Sequence, residues 1–269
     1  MRLPYCRRVT LPGKEMTILE HIEELRQRLI RIFAIVVGLA LFFFLFEIRF
    51  FDLGHFYIPY PYPNIFHNTA ANLIQFLEEQ VLPSYVKIIV TSPSEALISE
   101  MLISIILGVI VGMPAIVYEV WAFVAPALYE HEKKIIVKLT LPVTILFIIG
   151  CVFGYFLLVP FAFEFLYRYA SSIGIITYIT INDFIMFIAL LCIAMGITFE
   201  VPAIMWGLSK LGLVKPDTYK KYFRYFVVFS IIYGAFITPD GSGITMWFVA
   251  APMIILYLMG YYFAKKTVK

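Results

Sequence analysis

Three glutamates stand where a carboxylate can bind a cation or hold a proton. Glu24 lies in His21-Ile22-Glu23-Glu24-Leu25-Arg26-Gln27-Arg28-Leu29, with Leu25, Leu29 and Ile32 marking the buried stripe of a helix. Glu132 lies in Tyr129-Glu130-His131-Glu132-Lys133-Lys134. For these two, local pairing is the plain reading. Glu24 with Arg28 at i,i+4 is worth about 0.2–0.5 kcal/mol, and Glu132 has Lys133 beside it. Glu200 differs, because it interrupts an apolar run ten residues before Lys210. That spacing puts ~15 Å of helix between it and the charged end. An acid at a membrane helix centre costs about 2.5–3.5 kcal/mol on insertion scales, so it faces a partner or a wet cavity. Either a structural hydrogen bond inside the bundle or a functional polar pocket satisfies that demand.

Other chemistry is missing its parts. Gly13-Lys14 is followed by Glu15 and has no glycine five residues upstream, so no phosphate-binding loop forms. His131-Glu132 lacks the second histidine of a zinc protease. Ser242, in Asp240-Gly241-Ser242-Gly243, has no histidine in that turn or its neighbouring helices to serve as base. Histidines 21, 55, 67 and 131 are not paired at ligand spacing, and Cys6, Cys151 and Cys192 form no CxxC pair. Cys151 and Cys192 read as small buried apolar residues. No catalytic centre, metal or cofactor is expected.

The elements that position these acids follow from composition. Of 269 residues, 62% are apolar and only 14% charged, against about 45–50% and about 25% in soluble domains. One soluble core cannot hide such a surplus. Six segments approach the ~20 residues that cross a bilayer: Ile32 to Phe46, Met101 to Tyr118, Leu139 to Phe163, Phe184 to Leu208, Tyr225 to Pro239 and Ile244 to Ala264. They lack the alternation of barrel strands, so they are helices. The fifth is short. Eighteen of the 21 basic residues fall on one side of this arrangement, which puts both termini in the cytoplasm. The net charge of +3 is too mild for nucleic acid.

Between spans one and two, Pro59, Pro61 and Pro63 predict extended chain. Ala70, Leu73, Ile74, Leu77 and Val81 recur at helical spacing, as a helix on the membrane surface or capping the bundle. Ser92-Pro93-Ser94-Glu95 fits a capping box, so span two starts near Pro93. Prolines 114, 142, 160, 202 and 252 predict kinks. Gly108 with Gly112, and Gly150 with Gly154, give close-packing faces, used within the chain or between copies in a homo-oligomer. The fold expected is an all-α integral membrane protein: six kinked transmembrane helices in a curved bundle. Residues 16–269 form one domain, and 1–15 are an N-terminal extension.

Several of these segments resemble one family in the right order. The string around Glu24, the run from Met113 to Glu132 containing Val120-Trp121-Ala122-Phe123-Val124-Ala125-Pro126-Ala127-Leu128, the Phe199-Glu200-Val201-Pro202 segment and Thr238-Pro239-Asp240 are similar to TatC. TatC is the multispanning subunit of the twin-arginine protein translocase. The resemblance implies a receptor for export signals of folded proteins bearing two consecutive arginines. Glu24 and Glu132 then match the signal-recognising acids, and Phe123 an aromatic of the same surface. Glu200 matches an intramembrane acid on a face that meets small single-span partner subunits of the TatA/TatB type. Asp240 matches the last external turn, where Gly241-Ser242-Gly243 departs from the family pattern. Transport driven by the proton gradient in a prokaryotic cytoplasmic membrane, with no cofactor, is the implied setting. A proton-coupled transporter of a small solute, with Glu200 as carrier, is the alternative.

Overall fold

The computed structural model describes residues 18–52, 57–82, 86–124, 130–174, 177–238 and 243–267. Helix α1 (Ile18–Leu45) runs into a hairpin of β1 (Phe46–Asp52) and β2 (Tyr57–Pro63), followed by α2 (Thr69–Val81). The short β3 (Lys87–Ile89) leads to α3 (Glu95–Val124). Helix α4 (Glu130–Phe153) passes through one π turn, Gly154–Leu158, into α5 (Val159–Ser172). Then come β4 (Tyr178–Thr180), α6 (Ile181–Phe199), α7 (Val201–Lys210), α8 (Pro216–Ile237) and α9 (Thr245–Thr267).

Among the described residues, five stretches are long and apolar enough to cross a membrane: Leu19–Leu45, Glu95–Phe123, Thr140–Ser172, Ile181–Lys210 and Thr245–Thr267. Five of the six expected spans coincide with them, none overrunning by more than one residue. The remaining one, Tyr225 to Pro239, falls in α8 as far as that helix is described, and α8 is not one of the five. Lys220, Lys221 and Arg224 occupy its first half, so its uncharged part is short.

The fold is mostly helical, as expected, and short strands accompany the helices. Two sheets of two strands each join β1 to β2 and β3 to β4. The prolines of β2 pair with Phe46, Ile48 and Phe50, while Tyr60 and Tyr62 face Arg49 and Glu47. A proline cannot donate, so the bond-exchanging positions of the antiparallel ladder are the alternate ones. Asn64 N–H continues that set by donating to the Leu45 carbonyl at 3.0 Å. Every N–H that β2 would turn away from β1 at positions 59, 61 and 63 is therefore absent.

Packing directions follow from close approaches. A methyl at Gly108 would lie 2.8 Å from the Val36 carbonyl oxygen, and Gly112 sits against Ile35 and Leu39. Helices α1 and α3 are thus antiparallel. On α4, a methyl at Gly150 would lie 2.5 Å from the Met195 carbonyl oxygen, and Gly154 sits against Leu191 and Cys192 of α6. Both glycine faces are used inside the chain. The parallel ladder β3–β4 starts α3 and α6 side by side, running the same way. Tyr257 hydroxyl donates to the Tyr219 carbonyl and Gly234 abuts Met246, so α8 and α9 are antiparallel.

Helix α6 is the hub, with Phe184, Ile185, Leu191 and Met195 almost wholly buried. Around it α2 to α5 form the main core, into which α2 sends Ala70, Ile74, Leu77 and Val81. That helix therefore caps the bundle. Cys151 and Cys192 are buried apolar neighbours between α4 and α6, as expected. Two predicted kinks mark real interruptions. Pro160 follows the π turn and Pro202 follows the break at Glu200, each lacking the N–H of a regular helix. Leu141, Phe156, Phe161, Ile232 and Phe236 stay exposed, the surface a bilayer covers.

Candidate functional site

Antiparallel packing brings the first turns of α1 against the last turns of α3. His21, Glu24 and Arg28 share one face of α1, and Glu119 and Phe123, four apart, share one face of α3. Arg28 ties the two helices together. Its Nε and Nη2 both donate to Oε1 of Glu24, Nε at 3.0 Å, while Nη1 donates to Oε2 of Glu119 at 3.0 Å. Arg31 Nη1 approaches Oε1 of Glu119 at 3.7 Å. The side chains of Glu24 and Arg28 are each 17% exposed, so solvent screens this pairing less than it would a surface pair. His21 stacks on Phe123 with ring centroids 4.4 Å apart and planes 15° from parallel. Its Nδ1 lies 3.9 Å from Oε2 of Glu24. That oxygen is out of contact with solvent and accepts no hydrogen bond among the described residues.

Glu200 sits at the joint between two helices. It closes α6 and opens α7, with its N–H bonded back to the Ile197 carbonyl and its own carbonyl accepting from Ile204. The residue is 7% exposed, and neither carboxylate oxygen has a hydrogen-bond partner among the described residues. Neighbouring hydroxyls are committed elsewhere: Thr198 donates to the Ala194 carbonyl at 2.7 Å and Tyr233 to the same carbonyl at 3.0 Å. The structural hydrogen bond considered for Glu200 is therefore not made there. Leaving a buried carboxyl unpaired costs about 1–3 kcal/mol or more, a cost that nothing among the described residues offsets.

A third acid shows the opposite arrangement at the far end of α3. Oε2 of Glu95 accepts from Thr91 N–H at 2.6 Å, Thr91 Oγ1 at 2.7 Å and Ser92 N–H at 3.4 Å. This is the backward half of the capping box expected from Ser92-Pro93-Ser94-Glu95. Oε1 accepts from the Asn182 N–H at 3.4 Å, linking the first turn of α3 to that of α6.

The comparisons with known proteins agree with this architecture. Residues 20–252 match the profile of TatC, the Sec-independent protein translocase protein. The chain belongs to the TatC family. A TatC from Cenarchaeum symbiosum is 36% identical over 252 residues, covering 94% of this chain and 96% of that protein. One from Aquifex aeolicus is 33% identical over 254 residues, covering 93% and 95%. The crystal structure of a twin-arginine translocase receptor TatC is similar with a TM-score of 0.75 at 30% identity, over 93% of this chain and 100% of that one. As a TatC, this is a multi-pass membrane protein of a protein-transport system.

Within this TatC chain, Glu24 and Phe123 come together through His21. Glu132 lies in the first turn of α4, where the backbone alone is described, and Asp240 lies outside the described residues. Sequence reading found the Glu24–Arg28 pair but passed over Glu119, Arg31 and His21. Glu119 carried a usable signal, being the sole acid between Met101 and Val124 of α3. Among the described residues, no three His, Cys, Asp or Glu side chains come together to hold a metal ion.

Proposed function

We propose that this TatC-family chain is the receptor and scaffold of a twin-arginine translocase, binding export signals with two consecutive arginines at the cytoplasmic end of α1 and α3. One observation carries the reading: His21, stacked on Phe123, stands beside a carboxylate oxygen of Glu24 that accepts no hydrogen bond among the described residues. Guanidinium binds carboxylate in a planar two-pronged fork that lysine cannot reproduce. Glu132, at the start of the next helix, supplies the second acid. The apolar part of the signal then lies along the bundle. Glu200 receives a polar group from a small single-span partner subunit, and Asp240 belongs to the last external turn.

Six crossings with both termini cytoplasmic fit this role. Helices α1 and α3 run oppositely, α6 runs with α3 and against α4, and α8 runs against α9. Alternation of this kind is what six consecutive crossings require, with α8 as the fifth. Residues 16–269 make a single domain after an extension of fifteen residues, set in a prokaryotic cytoplasmic membrane, and the chain itself catalyses no reaction. The test is crosslinking of a twin-arginine signal peptide to Glu24→Ala and Glu132→Ala proteins. Both insert normally and lose the crosslink; an unchanged crosslink in both overturns the reading. Solute uptake by proteoliposomes holding this chain alone favours the transporter instead.

A further inference from the structure

Glu24 already holds a guanidinium. Taking Glu24 as the acid that meets a signal arginine, on which this inference rests, we propose that Arg28 is an internal competitor for Glu24, anchored by Glu119, and that its displacement sets how tightly an incoming signal is held.

The geometry of the pair supports exchange. Arg28 spends two donors on the same oxygen, Oε1, and leaves Oε2 of Glu24 buried without a hydrogen bond among the described residues, His21 Nδ1 standing 3.9 Å away. A foreign guanidinium approaching in fork geometry satisfies both oxygens, so it makes a bond that Arg28 does not. The displaced Arg28 keeps its Nη1 bond to Glu119 at 3.0 Å, and Arg31 stands 3.7 Å from the other oxygen of that acid. No charge is stranded by the exchange. Two acids and two arginines balance before it, and after it Glu119 retains both resident arginines.

Every ligand must first break the two converging bonds from Arg28, so the competitor lowers affinity for all signals alike and cancels from the comparison of arginine with lysine. The preference for arginine rests on the planar fork, which an ammonium, a point charge, lacks. The stack of His21 on Phe123, beside Oε2, is what the incoming group must move to reach that oxygen.

Binding of fluorescent signal peptides with Arg-Arg or Lys-Lys to the full chain in detergent tests this directly. Arg28→Gln is expected to tighten Arg-Arg binding about threefold or more. Glu119→Gln frees Arg28 to pair wholly with Glu24 and weakens Arg-Arg binding about threefold. A folding defect does not tighten binding, so the gain separates competition from damage. Should Arg28→Gln fail to fold, Arg28→Lys, which keeps the charge without the fork, must still tighten Arg-Arg binding. Unchanged or weaker Arg-Arg binding by the folded variant overturns the competitor while leaving the receptor reading intact. No binding of either peptide by the unaltered chain overturns both.

Discussion

Glu95 and Glu200 are equally buried, each 7% exposed, yet they differ in every other respect. Glu95 takes hydrogen bonds from Thr91, Ser92 and Asn182, and so joins the starts of α3 and α6. Glu200 takes none among the described residues, although it lies in the most buried of the five apolar stretches described. Burial alone therefore does not tell the two apart; hydrogen-bond satisfaction does. An acid satisfied by its neighbours stabilises the fold, whereas one left unsatisfied among the described residues carries a cost that the proposed partner contact would offset.

The sharpest way to break this contrast is Glu200→Gln. Export of a twin-arginine cargo is expected to fall roughly tenfold or more, the size of one lost charge-assisted bond. The unfolding temperature in detergent should hold or rise. A clear drop in that temperature would make Glu200 structural after all. Next comes Glu95→Ala, which should lower the unfolding temperature on the order of 5 °C. Its export activity should follow the amount of folded protein. Thr180→Ala, read by the same thermal scan, is smaller, at about 1 kcal/mol. It removes the N-cap that accepts from Asp183 N–H at 3.1 Å in the first turn of α6.

The smallest effect concerns Glu47, on the hairpin. Hydrogen bonds from Arg49 and Asn64 hold its carboxyl below the ordinary value of 4.5. A lowered value means the contribution is whole above about 4.5 and fades as pH falls through the folded value beneath it. Unfolding temperatures of wild type and Glu47→Gln should differ at neutral pH and converge in acid. A gap that persists in acid would assign the difference to shape instead of charge.

The spans were legible because a bilayer demands ~20 apolar residues in a row, a pattern with few alternatives. Glu24 with Arg28 was legible because helical spacing is local. Glu119 was not, since its bond to Arg28 joins residues 91 apart and depends on α1 and α3 running oppositely. The same holds for β3 and β4, three residues each and joined only in the folded chain. At Glu95 the capping half was visible in Ser92-Pro93-Ser94, whereas the bond from Asn182 had no trace in the sequence. Proline foretold the extended β2, but its partner β1 opens at Phe46, which apolarity alone assigns to the end of span one. For α8, helical pattern was clear and membrane depth was not, because Lys220, Lys221 and Arg224 shorten its apolar part.

The proline ladder of β2 has one more consequence. A strand grows a sheet by offering donors and acceptors along its free edge, and partly unfolded chains are captured that way. At residues 59, 61 and 63 that edge offers carbonyls alone. A polypeptide passing along β2 from Pro59 to Pro63 finds no complete template for strand addition, so this stretch of the hairpin does not retain what goes by.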